Sequence, residues 1–234
     1  ISPRDLTSRT DFRDKLIITI DGEDTRDIDD AVSLEKIGED YLLGVHIADV
    51  SHYVKRGGVI DKEALNRSTS VYFPERVIPM LPKKLSNGIC SLNEGVDRLT
   101  LSVIMKIDGK GDVIDSEICE GVINSKKRMT YTDVQRILDG DNRAIDEFMS
   151  ICPLIYDAEK LKDILSAKRK KRGNIDLNIE ESHITVNEKG KIIVEPRSSL
   201  DAYKIIEEFM IVTNETVAEY CYYMHLPFVY RIHE

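Results

Sequence analysis

Asp21-Gly22-Glu23-Asp24-Thr25-Arg26-Asp27-Ile28-Asp29-Asp30 puts six carboxylates and one cation into ten residues, directly after the apolar run Leu16 to Ile20. Two carboxylates held about 4 Å apart repel by roughly 4 kcal/mol at the effective dielectric of a protein surface. Several converging on one pocket therefore shift their pKa values or open the loop unless a multivalent cation sits among them. The pattern points to a divalent metal site. An EF-hand is excluded, because glycine follows the first aspartate and no glutamate stands at the twelfth position of the loop. A glycosidase needs two carboxylates, and six on one loop exceed that need. Hard oxygen donors in this number suit magnesium or manganese, with substrate phosphate supplying further ligands. Paired metals about 4 Å apart are a recurrent device for in-line attack on phosphodiesters. The competing reading is a solvated acidic surface loop. The position of this run at a strand end, between apolar segments, weighs against that.

The elements that must position the loop can be read on either side of it. Leu16-Ile17-Ile18-Thr19-Ile20 is β-rich and delivers Asp21 at its carboxyl end, with Gly22 making the turn. Ala31 to Lys36 and Tyr41 to Ala48 read as antiparallel strands joined through Gly38-Glu39-Asp40, which sets Asp29 and Asp30 beside the start of a core strand. A short helix is expected from about Asp61 to Arg67. Beyond Tyr72, Pro74, Pro79 and Pro82 predict an extended loop. Leu99 to Ile107 and Val113 to Ser125 flank Asp108-Gly109-Lys110-Gly111-Asp112, a strong hairpin signal. Thr132 and Gln135 fit a capping box that opens a helix closed at Gly140. Leu154, Ala158, Leu161 and Leu165 mark one face of a second helix, running toward the basic run Lys168 to Arg172. Ile175 to Ile179 reads as a strand, and Ile184 to Val186 with Ile192 to Val194 as a hairpin turning at Glu188-Lys189-Gly190. A last helix, about Leu200 to Met224, is expected to bury Ile205, Phe209, Val212, Val217 and Tyr220.

Composition sets outer limits. A chain of 234 residues can bury one good core. Its formal charge of −9 argues against a protein that coats nucleic acid without specificity, since that depends on many phosphate contacts from Lys and Arg. It leaves nucleic acid open as a substrate, because the acidic loop concentrates much of the charge and basic runs stand at Lys126-Lys127-Arg128 and Lys168 to Arg172. Taken alone, each basic run reads as a solvated helix end or strand margin. The four cysteines are widely spaced and form no C-x-x-C pair, which fits a reducing cytoplasm rather than a zinc ribbon or a disulfide framework. Apolar runs are strand-sized and no signal-like start is present, so neither export nor membrane spanning is expected. Beginning at Ile1 and stopping at Arg231-Ile232-His233-Glu234, the chain reads as a piece of a longer protein.

The run from Thr19 to Val32 resembles the signature of the RNB catalytic domain of the ribonuclease II and ribonuclease R exoribonucleases. Further segments agree in order: Val45 to Ser51, Thr69 to Pro74, Pro79 to Pro82, Leu85 to Leu92 and Ile206 to Ile211. Ser70-Val71-Tyr72-Phe73-Pro74 is closer to ribonuclease R than to ribonuclease II. The resemblance implies an α/β chain of α+β type, with a twisted, largely antiparallel mixed sheet flanked by helices. It implies processive hydrolysis of single-stranded RNA from the 3′ end, releasing nucleoside 5′-monophosphates, with magnesium (or manganese) at the site and no organic cofactor.

By the same resemblance, Asp21, Asp27, Asp29 and Asp30 are the aspartates around the scissile phosphate, serving as metal ligands and catalytic groups, with Asp29 most directly tied to chemistry. Tyr72 matches the aromatic that stacks on the terminal base, and Glu208 lies on a helix that lines the RNA channel. His46 and His52 are weaker candidates as general bases. A later arginine-bearing motif of the family is missing, as are its flanking cold-shock and OB-type RNA-binding domains. Residues 1–234 are thus expected to be a partial, catalytically impaired RNB domain. A non-catalytic RNA-binding module and a metal-binding structural module are the alternatives.

Overall fold

The computed structural model describes all residues except 74–75, 175–181, 187–191, 197–199 and 233–234. A short helix α1 (Pro3–Thr7), capped by Ser2, leads into strand β1 (Thr10–Asp11). Strands β2 (Ile17–Asp21), β3 (Asp30–Ile37) and β4 (Asp40–Ala48) follow. The turn between β3 and β4 is held by Gly38 at φ 65°, a conformation that costs glycine nothing. Helices α2 (Val50–Tyr53) and α3 (Val59–Arg67) come next, then a two-stranded ribbon, β5 (Val71–Tyr72) with β6 (Val77–Ile78), and a π-helical turn at Leu85–Ile89. The ribbon stands where the prolines predict only extended loop.

The long hairpin is β7 (Asp97–Ile107) and β8 (Val113–Asn124). Its turn is closed by the Asp108 carboxylate, which accepts from the Lys110 and Asp112 amides. After β9 (Lys127–Thr130) come helices α4 (Tyr131–Leu138), α5 (Asn142–Glu147) and α6 (Cys152–Lys171), the hairpin of β10 (Ser182–Val186) and β11 (Ile192–Pro196), and α7 (Asp201–Tyr223). The expected strand at Ile175 to Ile179 and the turn at Glu188 to Gly190 fall outside the described residues. The cap of α4 is Thr130 rather than Thr132: its hydroxyl accepts from the Asp133 amide. Gln135 instead reaches Asp139 and accepts from the Ala202 amide of α7.

Seven strands form one sheet in the order β1-β8-β7-β4-β3-β2-β9. The inner pairs are antiparallel, while β1 on β8 and β9 on β2 are parallel. One sheet face carries Ile18, Ile20, Val32, Leu43, Val45, Val103 and Met105 into a core shared with α4, α6 and α7. The other face carries a smaller core of Ile17, Ile28, Ala31, Ala48, Cys90, Leu92 and Ile123. Because both faces of β2 are covered, its run before Asp21 is apolar but for Thr19, which is itself fully buried. Along α7 the buried stripe includes Ile205, Phe209 and Val212 as expected, but Thr213 and Thr216 replace Val217 and Tyr220. The two threonine hydroxyls donate back to the Phe209 and Val212 carbonyls, which lets them enter the core satisfied. Among the described residues no helix is long and apolar enough to cross a membrane.

Candidate active site

The acidic loop leaves the sheet at Asp21 and re-enters it at Asp30, two residues on neighbouring antiparallel strands at the same end of the sheet. Both ends of the loop are fastened. Asp21 Oδ1 accepts from the Gly22 amide at 2.7 Å and from the Thr25 hydroxyl at 3.0 Å, and the Thr25 amide donates to the Gly22 carbonyl. Ile28, only 1 % exposed, drops into the smaller core. Its amide donates to the buried Ser91 hydroxyl, and its carbonyl accepts from the Leu92 amide. The Asp29 carbonyl accepts from the Ala48 amide at 2.9 Å. One buried residue between two carboxylates thus turns Asp27 and Asp29 to the rim.

Burial and neighbouring charge act together on Asp29 and Asp30. Burial pushes the pKa of Asp29 upward, and the nearby charges of Asp27 and Asp21 add to the shift. Asp30 is pushed up to about 6, by burial first and then by Asp21 and Asp29. Tyr72, at the start of the β5–β6 ribbon, joins them. Its hydroxyl donates to Asp27 Oδ2 at 3.4 Å, while its ring is 67 % exposed. Burial and the Asp27 charge raise its pKa. Asp21, Asp27, Asp29, Asp30 and Tyr72 are therefore one electrostatic unit. Among the described residues, no three His, Cys, Asp or Glu side chains sit in a ready-made metal-holding group. The donor set nevertheless fits a hard divalent cation: it is all carboxylate, and the proton affinities of Asp29 and Asp30 are raised by their neighbours' charges, a strain that a bound cation relieves.

The structure does not bring Glu208 to this unit. It is 6 % exposed on α7 and faces Arg169 of α6, with Oε1 3.3 Å from Nη1 and Oε2 lacking a hydrogen-bond partner. Burial raises its pKa, against the pull of Arg169. Next to Arg169, Lys168 donates to the Gly111 carbonyl in the β7–β8 turn and pairs with Asp112. That turn lies beyond the pairing of Tyr41 with Ile107, whereas Asp30 lies beside Ile47, itself opposite Leu101. At about 3.3 Å per strand residue, Glu208 is roughly 20 Å from the aspartates. Its helical spacing places it on a face that packs against α6, a partnership that the local sequence of α7 does not encode. Arg172 is likewise taken up by Glu215. Much of the basic run at the end of α6 thus serves structural pairs.

Neither histidine faces the loop. His46 is fully buried between the hydroxyls of Ser33 and Ser102, and burial pushes its pKa down to about 4. His52 sits 3.7 Å from Asp5, near Arg9. All four cysteines are free thiols. Two neighbours of the loop are not tied to it by the sequence, which offers Ser91 only within the Leu85 to Leu92 segment and Arg128 only within a basic run: the Ser91 hydroxyl also donates to the Arg26 carbonyl, and Arg128 Nη2 reaches three loop carbonyls. Both meet the loop only through tertiary structure.

Comparison with known proteins places the chain in a family and a fold. The chain is 52 % identical over its whole length to ribonuclease R of Thermotoga maritima, and it spans 33 % of that relative. It superposes with a TM-score of 0.89 and 32 % identity on Mycoplasma genitalium RNase R solved in complex with ribose-methylated single-stranded RNA, covering 100 % of this chain and 37 % of that one. The same protein solved with double-stranded RNA gives the same TM-score, with 42 % of its chain covered. Residues 9–234 match the RNB domain, and the chain belongs to that family.

Proposed function

We propose that this chain is the aspartate-bearing part of a 3′-to-5′ exoribonuclease that hydrolyses single-stranded RNA processively to nucleoside 5′-monophosphates in the cytoplasm. The observation that carries the reading is the convergence of Asp21, Asp27, Asp29 and Asp30 with the exposed ring of Tyr72 at one end of the sheet, in a chain of the RNB family. The carboxylates would hold magnesium or manganese, which supplies Lewis-acid polarisation of phosphoryl oxygens and a lowered pKa for an attacking water. Asp29, less buried than Asp30 and flanked by the charges of Asp27 and Asp21, offers oxygens to that water and to the metal shell. Asp30 and Asp21, fixed on paired strands, set the floor of the site. Tyr72 stacks on the terminal base, a contact that tolerates any sequence because every base has a π face. The Asp27–Tyr72 hydrogen bond then ties the grip on the base to the carboxylates that meet the phosphate.

The test uses the full-length protein that contains this domain and single-stranded RNA labelled at its 5′ end, with the 3′ end free or blocked, in magnesium or manganese. Shortening of the free-ended RNA alone, with release of mononucleotides and loss of cutting but retention of binding in Asp29→Asn, is the expected outcome. If wild type and Asp29→Asn both bind RNA and neither cuts it, a non-catalytic RNA-binding module replaces the enzyme. A protein that magnesium stabilises and RNA leaves unaffected would be a metal-binding structural module.

A further inference from the structure

The acidic loop has to hold six carboxylates in a fixed shape before any cation arrives, and the side chains that make it repel one another. Something must brace the backbone without occupying carboxylate oxygens, since an arginine paired with an aspartate would compete for the groups the proposed reaction needs. Arg128 meets both conditions. It lies on β9, whose parallel pairing with β2 sets Arg128 opposite Thr19 and Thr130 opposite Asp21. The Arg128 amide is anchored by the Glu94 carboxylate at 2.9 Å. Its guanidinium Nη2 donates to the carbonyls of Gly22 at 3.3 Å, Glu23 at 2.9 Å and Thr25 at 2.7 Å. It forms no ion pair with a carboxylate among the described residues.

We infer that Arg128 is a positioning residue for the proposed catalytic loop: it gathers the carbonyls of residues 22, 23 and 25 on one guanidinium nitrogen and so fixes the turn that aims Asp21 and Asp27. Three converging carbonyls concentrate negative dipole, and the cation that gathers them also offsets part of the carboxylate charge above. On the opposite flank the Ser91 hydroxyl takes the Ile28 amide and donates to the Arg26 carbonyl. Arg128 and Ser91 hold successive halves of the loop, and among the described residues neither hydrogen-bonds to or pairs with an aspartate side chain. The arrangement confines the loop through its backbone, and the one side-chain hydrogen bond that Asp27 accepts among the described residues comes from Tyr72 rather than from either brace.

This inference rests on the exoribonuclease reading for its kinetic consequence but not for its structural one, and the experiment separates them. In the full-length protein, Arg128→Ala and Arg128→Met are compared with wild type by peptide-resolved amide hydrogen exchange over residues 22–28 without metal or RNA, and by RNA turnover against RNA and magnesium concentration. Arg128→Met keeps the aliphatic stem and removes every donor, so it carries the test if Arg128→Ala does not fold. The expected result is exchange over the loop faster by about tenfold, and kcat lowered by about 10²-fold, as a misplacement of about 1 Å can cause. The magnesium concentration for half-maximal rate is raised and KM for RNA is unchanged. Unchanged exchange over residues 22–28 overturns the inference whatever the activity. An elevated KM with kcat intact also overturns it, assigning Arg128 to phosphate contact instead. If wild type itself leaves RNA intact, the function reading fails while the exchange result still judges Arg128.

Discussion

At the scale of single residues, the site is a problem in proton and charge balance. Asp30 holds its proton to about pH 6 in the folded, metal-free protein, against about 3.9 for an unfolded aspartate. The folded state therefore binds more protons across that interval, and stability falls as pH rises through it. Asp30→Asn removes this loss. It is expected to be more stable than wild type by about 1–2 kcal/mol at pH 7.5, after allowance for partial exposure, and equal to it at pH 4. Thermal melts at the two pH values in a chelator check this. Millimolar magnesium is expected to raise the melting temperature of wild type and not of Asp29→Asn, because a ligand stabilises only the state that binds it. Tyr72 is tested separately: Tyr72→Ala in an Asp29→Asn background should weaken RNA binding by about 1–3 kcal/mol, read by fluorescence anisotropy, with no preference among 3′-terminal bases.

At the scale of elements, the loop works because Ile28 is an anchor between rim carboxylates. Ile28→Ala empties a fully packed position beside Ile17, Ala48 and Leu92 and is expected to cost about 2–5 kcal/mol in chemical denaturation. It should also release Asp27 and Asp29, so turnover falls by more than the folded fraction does. The strand before the loop, the β3–β4 hairpin and the long β7–β8 hairpin were all legible, because alternation, glycine turns and β-branched runs are local signals. The cap of α4 was misplaced by two residues, since Thr130 and Thr132 both precede acceptable partners and only the parallel pairing of β9 with β2 decides where the strand ends. That the aspartates lie on one loop at a strand end was legible, because the acidic run directly follows an apolar strand; the contact of Tyr72 with Asp27 spans 45 residues and has no local sign. The contacts of Arg128 and Ser91 with the loop were not legible, although both residues lie in segments that the sequence marks, because meeting a backbone carbonyl more than sixty residues away leaves no pattern nearby. Glu208 is the complementary case. A carboxylate on an amphipathic helix reads as solvent-facing until another helix, here α6, covers it.

At the scale of the whole molecule, the two sheet faces are unequal. The helical face carries most of the core, while α3 and the β5–β6 ribbon, which presents Tyr72, bury no residue among those described. Amide exchange is expected to be fast across α3 and slowest in β4 and β7, which pair on both sides. Added single-stranded RNA should slow exchange around Tyr72. The smaller core depends on sequence-distant partners, and the same holds for the loop: the parallel contact of β2 with β9 joins residues 18–21 to residues 127–130. On a ribosome, a chain that ends before Arg128 already carries all four aspartates and the paired strands β2 and β3, but lacks β9 and the side chain that meets the loop carbonyls. At about 5–20 residues per second, roughly 5–20 s of synthesis separate the acidic loop from its brace. During that interval the nascent protein carries the carboxylates without the guanidinium that gathers the carbonyls of residues 22, 23 and 25, so the loop is the last part of this sheet end to gain its full set of tertiary partners.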